Sequence, residues 1–333
     1  MSKTKKTKTD YLRYVAAAIL VVSLIASALL LLSYWEKQQG IFPLDDDADI
    51  GLNNTIRYNG KEYVLRDDVE TLLILGLDKF SENVDDGSYN NDRQADFIML
   101  FVIDKEKGST SAIHLNRDTM AQMDILGIGG QKVGTSTAQL ALAHTYGSGK
   151  NDSCRNMSRA VSRVLGGVPI DHYISLTMDS AAIINDLVGG VTVEVLHDFS
   201  DVDPELVKGQ TVTLHGEQAL RYVRGRENVE EQSNVQRMER QRQYLTALRE
   251  QIKLYMKNDP EFSAEMVLEL SDHMVSNYAI DVMDDVAKEL MKHNITQIHT
   301  IDGELKTGEA HMEFYPDDTA IRQLVVDLFY ELK

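Results

Sequence analysis

A single cysteine, Cys154, stands in a chain of 333 residues. A lone thiol excludes an intrachain disulfide framework and any zinc site built on cysteines. Proline is scarce at 5 residues and glycine stops at 21, so the composition is neither collagen-like nor that of a disordered chain. Basic side chains are outnumbered: 34 Lys and Arg against 52 Asp and Glu give a formal charge of −18. So acidic a chain lacks the phosphate-neutralising surface on which non-specific nucleic-acid binding rests. There is no HExxH pair and no serine in a GxSxG elbow. Gly147-Ser148-Gly149-Lys150 is not a P-loop, because Asn151 stands where Ser or Thr is needed. No internal repeat occurs. What is present, 43% hydrophobic residues, suffices for one large domain or two small ones around a real core.

Charge is unevenly placed. Residues 1–14 carry Lys3, Lys5, Lys6, Lys8 and Arg13 against Asp10, and Tyr14 to Trp35 carry none. The remainder holds 29 basic and 51 acidic side chains, a net of −22. Val15 to Leu32 is uncharged and apolar but for Ser23 and Ser27 and, at ~1.5 Å per residue, matches the thickness of a bilayer core. Tyr11, Tyr14, Tyr34 and Trp35 flank it where amphipathic rings favour headgroups. The pattern predicts a basic cytoplasmic head (1–14), a transmembrane helix (15–34) and an extracellular body, in a single-pass cell-membrane protein. A cleaved signal peptide is the rival, with Ala26-Ser27-Ala28 as its cleavage site. The apolar run continues through Leu29–Leu32, past that site, and favours the anchor.

Residues 35–68 are expected to form a stalk or lead-in, with a hairpin over Thr55–Val64 turning at Asn59-Gly60. From 69 the texture changes. Thr71–Leu77, Phe97–Ile103 and Ser111–Leu115 are apolar runs of strand length, of the kind buried on both faces. Further strands are expected at His172–Leu176, Val191–Val195 and Gln297–Ile301. Helical patterns fall at Ser136–Tyr146, Ser153–Leu165, Met178–Leu187, Gly216–Tyr222, Asn234 to about Lys257, Ser263–Met274, Val282–His293 and Thr319–Leu332. Strands alternating with helices predict an α/β domain around a covered sheet, with 69–257 as core and 258–333 continuous with it.

Three sets of residues carry chemistry. Asp78 follows one expected strand and Asp96 precedes another, where carboxylates reach the rim crevice of an α/β sheet. With a phosphate they would suit magnesium; solvated loop acids are the alternative. Arg117-Asp118-Thr119 follows a third strand, where Arg117 can fork onto phosphate or form an ion pair inside the crevice. Arg221, Arg224, Arg226, Arg237, Arg240 and Arg242 lie in an interval without lysine. Arg237, Gln241 and Tyr244 share a helix face. Arginine in place of lysine suggests bidentate phosphate recognition, against the alternative of a solvated helix paired with Glu227, Glu230, Glu231 and Glu239. His144 and Tyr146 are minor candidates at the border of a crevice.

LLILGLD (Leu72–Asp78), ADFIMLFVID (Ala95–Asp104), LNRDTM (Leu115–Met120), LVGGVTVEV (Leu187–Val195), LHGEQALRYVRGR (Leu214–Arg226) and RMERQRQYL (Arg237–Leu245) occur in this order. As a series they resemble the LytR–CpsA–Psr family of bacterial cell-wall proteins. The resemblance implies an α/β/α sandwich with a central, mostly buried mixed sheet, holding a polyprenyl-pyrophosphate lipid in an apolar groove. It implies transfer of a lipid-linked glycopolymer, such as teichoic acid or capsule, onto peptidoglycan with release of polyprenyl phosphate. By matching position, Asp78 and Asp96 are the magnesium-binding acids. Arg117, Arg224, Arg226, Arg237 and Gln241 form the pyrophosphate clamp, with Arg240 and Asp118 in support. Asp96 and Asp118 are the candidate bases for the attacking hydroxyl. Gln94 replaces the family's usual arginine, with Arg93 one step away, and Asn116 replaces its proline. The alternatives are a pyrophosphate-lipid hydrolase and a non-catalytic lipid-binding envelope protein.

Overall fold

The structure, a computed structural model, describes residues 55–77, 94–201, 203–225, 234–309 and 311–333. The expected basic head, transmembrane helix and first part of the stalk lie outside them. Among the described residues no helix is long and apolar enough to cross a membrane.

The described chain opens on the expected hairpin, β1 (Thr55–Tyr58) and β2 (Lys61–Leu65). Asn59 and Gly60 turn it with φ of 48° and 77°, the left-handed pair that matches strand twist. Next come β3 (Val69–Leu77), β4 (Ala95–Asp104) and β5 (Ser109–His114), each slightly longer than its apolar run. Asp96 is therefore the second residue of β4 rather than the residue before it. A second hairpin follows, β6 (Met120–Leu126) and β7 (Lys132–Gln139), then a one-turn helix α1 (Leu142–Thr145) and helix α2 (Lys150–Val164). The helix expected over Ser136–Tyr146 is not formed as such: Ser136–Gln139 belong to β7, and only Leu142–Thr145 are helical. Thr135 to Gln139 pair with Asp124 to Met120, and the burial along β7 alternates as a strand requires.

Strand β8 (His172–Thr177) and α3 (Asp179–Leu187) come next, then β9 (Val191–Glu194) and β10 (Thr211–Leu214), which among the described residues form a two-stranded sheet of their own. Helices α4 (Gly216–Arg224), α5 (Asn234–Asn258) and α6 (Phe262–Leu270), strand β11 (Met274–Ser276), α7 (Met283–Lys292) and β12 (Asn294–Thr300) follow. The expected Ser263–Met274 helix stops at Leu270, because Met274 pairs with Leu176 in the sheet. A third hairpin, β13 (Gly303–Thr307) and β14 (Met312–Pro316), leads to α8 (Asp318–Phe329) and β15 (Tyr330–Leu332). Asp317 caps α8, its carboxylate accepting from the Thr319 and Ala320 amides at 2.7 and 3.0 Å.

The central sheet has six strands in the order β11-β8-β3-β4-β5-β12. β3 is parallel to β8 and antiparallel to β4, and β12 runs parallel to β5, so the sheet is mixed. One face packs Leu73, Leu75, Ile98, Leu100 and Ile113 against α2 and α8. On the other, Phe97, Met99 and Ala112 meet Leu245 of α5. A separate core joins α3, α4 and α5 to β9 through Val188, Val193, Phe199, Tyr222 and Leu248. The result is an α/β fold with helices on both faces of a buried sheet. Residues 258–333 supply both edge strands, β11 and β12, and β15 adds to the hairpin through β2.

Candidate active site

The antiparallel pairing of β3 with β4 sets Leu77 opposite Ala95. The start of β4 therefore lies at the same sheet end as the close of β3. β5 finishes at that end too, and the segment beyond it, Asn116-Arg117-Asp118-Thr119, is buried. Helix α5 begins there. Its buried face changes character along its length: Arg237, Arg240 and Gln241 near the start, then Tyr244, Leu248 and Ile252.

These elements converge on Asp96, which is only 5% exposed. Arg117 Nη1 donates to Asp96 Oδ1 and Arg117 Nη2 to Gln94 Oε1. Arg237, 1% exposed, approaches from the helix, with Nη1 3.2 Å from Asp96 Oδ2 and Nη2 donating to the Asp96 carbonyl at 3.3 Å. Two guanidinium groups share one buried carboxylate. Isolated in low dielectric such charges would cost several kcal/mol each, so the set holds only through its mutual pairing. Asp118 lies beside it, Oδ1 3.5 Å from Arg117 Nε and accepting from Gln139 Nε2 at 2.8 Å. Gln139 also donates to the Met312 carbonyl at 2.9 Å, which ties β7 to the third hairpin.

Two asparagines position the arginines. Asn234, first residue of α5, accepts from Arg237 Nη2 at 2.7 Å and donates to Asn116 Oδ1 at 2.5 Å. Asn116 Oδ1 in turn accepts from the Asp118 amide at 2.9 Å. Neither Asn234 nor Gln139 was singled out from the sequence. The available signal was Asn234 three residues before Arg237, a spacing at which helical side chains meet.

Arg240 and Gln241 are engaged with backbone. Arg240 Nε donates to the Tyr222 carbonyl at 3.0 Å, Nη2 to the Gly225 carbonyl at 2.5 Å, and its guanidinium stacks on Phe199, 4.6 Å from the ring centre. Burial pushes its pKa down to about 10, partly offset by Tyr222 and Glu239, so it stays charged at neutral pH. Gln241 Nε2 donates to the Val223 carbonyl at 3.2 Å. Both bonds fasten the end of α4 to α5, and Arg224 is the last residue of α4. Asp78 and Arg226, expected in the site, lie outside the described residues. His144 is fully buried. His114, at the end of β5, is also buried and its ring tilts against Phe97 at 5.1 Å. Burial first, then the charges of Arg242 and Arg237, hold its pKa down to about 3, so it is neutral.

Beside the cluster opens an apolar cavity of about 110 Å³, lined by Ile74, Gly76, Phe97, Ile184, Tyr244 and Leu248 among others. It shares neighbours with the charged set: Phe97 follows Asp96, Gln241 is one turn from Arg237, and Val223 precedes Arg224. Gly76 is needed for the space, since a Cβ there would lie 2.9 Å from Met178 Sδ and 3.0 Å from Phe97 Cβ.

The oxygen donors near Asp96 suit a hard cation in type. Among the described residues no group of three or more His, Cys, Asp or Glu could hold a metal. Magnesium, which takes one or two carboxylates and completes its shell with waters and phosphate oxygens, remains compatible with Asp96.

Enterococcus faecalis TagU, a polyisoprenyl-teichoic acid–peptidoglycan teichoic acid transferase, is 27% identical over 289 residues, 86% of this chain and 84% of that protein. The crystal structure of protein gbs0355 from Streptococcus agalactiae superposes with a TM-score of 0.63 at 20% identity, covering 78% of this chain and 86% of that one. That of Bacillus subtilis TagV gives 0.57 at 22% identity, over 79% and 97%. At such identities these likenesses show the fold. The LytR_cpsA_psr family matches residues 46–326. One continuous match thus takes in the whole central sheet together with Asp96, Arg117 and Arg237, and the chain belongs to the LytR–CpsA–Psr family.

Proposed function

We propose that this chain moves a glycopolymer of the teichoic acid class from a polyprenyl-pyrophosphate carrier onto peptidoglycan, releasing polyprenyl phosphate. The observation that carries this is the convergence of Arg117 and Arg237 beside a largely apolar cavity. A ligand with a multiply charged head and a hydrocarbon tail fits such a pairing. The name of the similar TagU protein supports the polymer class.

In this reading Arg117, Arg237 and Arg224 bind the pyrophosphate, with Arg226 supplying a further fork. An acceptor sugar hydroxyl attacks the sugar-side phosphorus. A new P–O bond forms, the bond to the bridging oxygen breaks, and polyprenyl phosphate leaves with the electron pair. Asp96 or Asp118 would take the hydroxyl proton. Positioning and charge neutralisation dominate such transfers, and guanidinium forks provide both. Magnesium held by Asp96, with Asp78, would neutralise charge on the pyrophosphate. The carrier bond is already activated, so an extracellular domain behind an anchor at 15–34 needs no nucleotide.

The test is transfer of lipid-linked glycan to peptidoglycan fragments by the full chain in detergent, with magnesium and with EDTA. We expect transfer that EDTA abolishes. Free glycan phosphate without a peptidoglycan product would make the chain a hydrolase, and equal rates in EDTA would remove the metal. Protease added to intact protoplasts should digest the chain beyond Trp35; protection would reverse the topology.

A further inference from the structure

On this acidic chain one face is basic. Along α2, Arg155, Arg159 and Arg163 recur at four-residue spacing and so lie on one side of the helix. That side meets Asp124 of β6. Arg163 Nη2 donates to both Asp124 oxygens at 3.0 and 3.1 Å. Arg159 Nε lies 3.4 Å from Oδ2, and Lys132 Nζ, from β7, lies 3.4 Å from Oδ1. One turn away Arg155 pairs with Asp152. Four cations thus face two carboxylates, leaving two positive charges where the chain as a whole is at −18.

Pinning the second hairpin to α2 needs one arginine on Asp124, and Arg163 does that. It leaves the other cations unexplained. Arg159 reaches Asp124 only at 3.4 Å and donates from Nη2 to Asn156 Oδ1 at 3.4 Å, both long contacts. The side chains of Arg155, Arg159 and Lys132 are 55%, 40% and 41% exposed, so the surplus charge faces solvent. The planar, part-exposed guanidinium groups of Arg155 and Arg159 suit phosphate oxygens better than hydrated point charges do.

The patch and the site share one hairpin. β6 begins two residues after Asp118, and β7 ends at Gln139, whose amide holds the Asp118 carboxylate. Asp124 lies four residues along β6 from Met120, about 14 Å at ~3.4 Å per residue. A chain whose end sits at the Asp96 cluster can therefore lie along the hairpin and reach the patch.

We propose that Lys132, Arg155, Arg159 and Arg163 form a binding site for a phosphodiester polyanion, the part of the glycopolymer beyond its lipid-linked end. The identity of the polymer rests on the transferase reading above; the charge and geometry do not. The site would hold the long substrate in register while its pyrophosphate is at Arg117 and Arg237.

The experiment uses the full chain in detergent and its Arg155→Gln/Arg159→Gln double variant, which leaves Arg163 and the hairpin contact in place. Calorimetry measures binding of a soluble, lipid-free poly(glycerol phosphate) oligomer, of a short-chain prenyl pyrophosphate, and of phosphatidylglycerol vesicles. The variant should melt at the parent temperature and bind the short-chain prenyl pyrophosphate as the parent does. Its polymer affinity should fall about tenfold or more, as loss of charge-assisted hydrogen bonds implies. Equal polymer affinity in parent and variant, or a loss seen only with vesicles, would overturn the proposal. If neither protein binds the prenyl pyrophosphate while the polymer difference persists, the transferase reading falls and the polyanion site stands.

Discussion

Asp96 holds two buried arginines, Arg117 and Arg237, and its charge is what allows both to be there. Asp96→Asn keeps the shape and one acceptor oxygen but removes the carboxylate the two guanidinium groups share, leaving Asp118, beside Arg117 Nε at 3.5 Å, as the neighbouring counter-charge. Breaking a buried pair costs about 3–5 kcal/mol, and the retained acceptor brings the expected loss to about 2–4 kcal/mol in urea denaturation. The freed cations should then bind anions more strongly. Inorganic pyrophosphate should raise the melting temperature of Asp96→Asn by more than it raises the parent's. An equal shift in both proteins would mean that these arginines are not the anion-binding groups.

Between elements, two junctions are held by arginine. Arg240 bridges the Tyr222 and Gly225 carbonyls and covers Phe199, which locks α4 to α5 and sets where Arg224 stands. A lysine keeps the charge but has no fork to span two carbonyls. Arg240→Lys is expected to cost about 2–3 kcal/mol of stability in urea denaturation, since it loses a charged hydrogen bond in a buried place. The other junction ties the first hairpin to the sheet: Arg66 Nη2 lies 2.5 Å from Asp68 Oδ2 and 2.6 Å from Asp104 Oδ2. Burial raises the Asp104 carboxyl, but the Lys107 amide and the Arg66 and Lys107 side chains outweigh it and hold the pKa at about 2, against an ordinary 3.8. The folded state therefore binds the proton less readily than the unfolded chain. The contribution is complete above pH 4 and is lost as pH falls toward 2. Allowing for solvent screening it is worth about 1–2 kcal/mol. Asp104→Asn should lower stability by about 1–2 kcal/mol above pH 4 and flatten the profile between pH 4 and pH 2.

At the scale of the molecule, the last 76 residues close what the rest leaves open. β11 covers the free edge of β8, β12 covers that of β5, and α8 adds Ile321, Val325, Val326 and Phe329 to the larger core. A chain ending at Lys257 would present two unpaired sheet edges and an uncovered apolar face, both of which promote association. We expect that truncated chain to be recovered as aggregate, with no cooperative thermal transition. A monomeric, cooperatively melting product would show that 69–257 folds by itself.

The amino-acid sequence alone determined the features that depend on near neighbours. Apolar runs marked β3, β4 and β5, because strands buried on both faces have no polar side to interrupt them. The Asn59-Gly60 turn was legible from its backbone requirement, and the shared face of Arg237, Gln241 and Tyr244 from helical spacing. Ser136–Tyr146 misled because small and apolar residues there run across a strand end and a one-turn helix, and local pattern does not register the pairing with β6. Only the tertiary structure brought residues 96, 117 and 237 to one point, through strand pairing and the seating of α5, contacts that have no sequence period. It also divided the arginines by task. Arg117 and Arg237 meet a carboxylate beside the cavity, whereas Arg240, from the same run, is bound to backbone carbonyls. Identical side chains acquire different roles because burial and available partners, rather than residue type, decide what a guanidinium can hold.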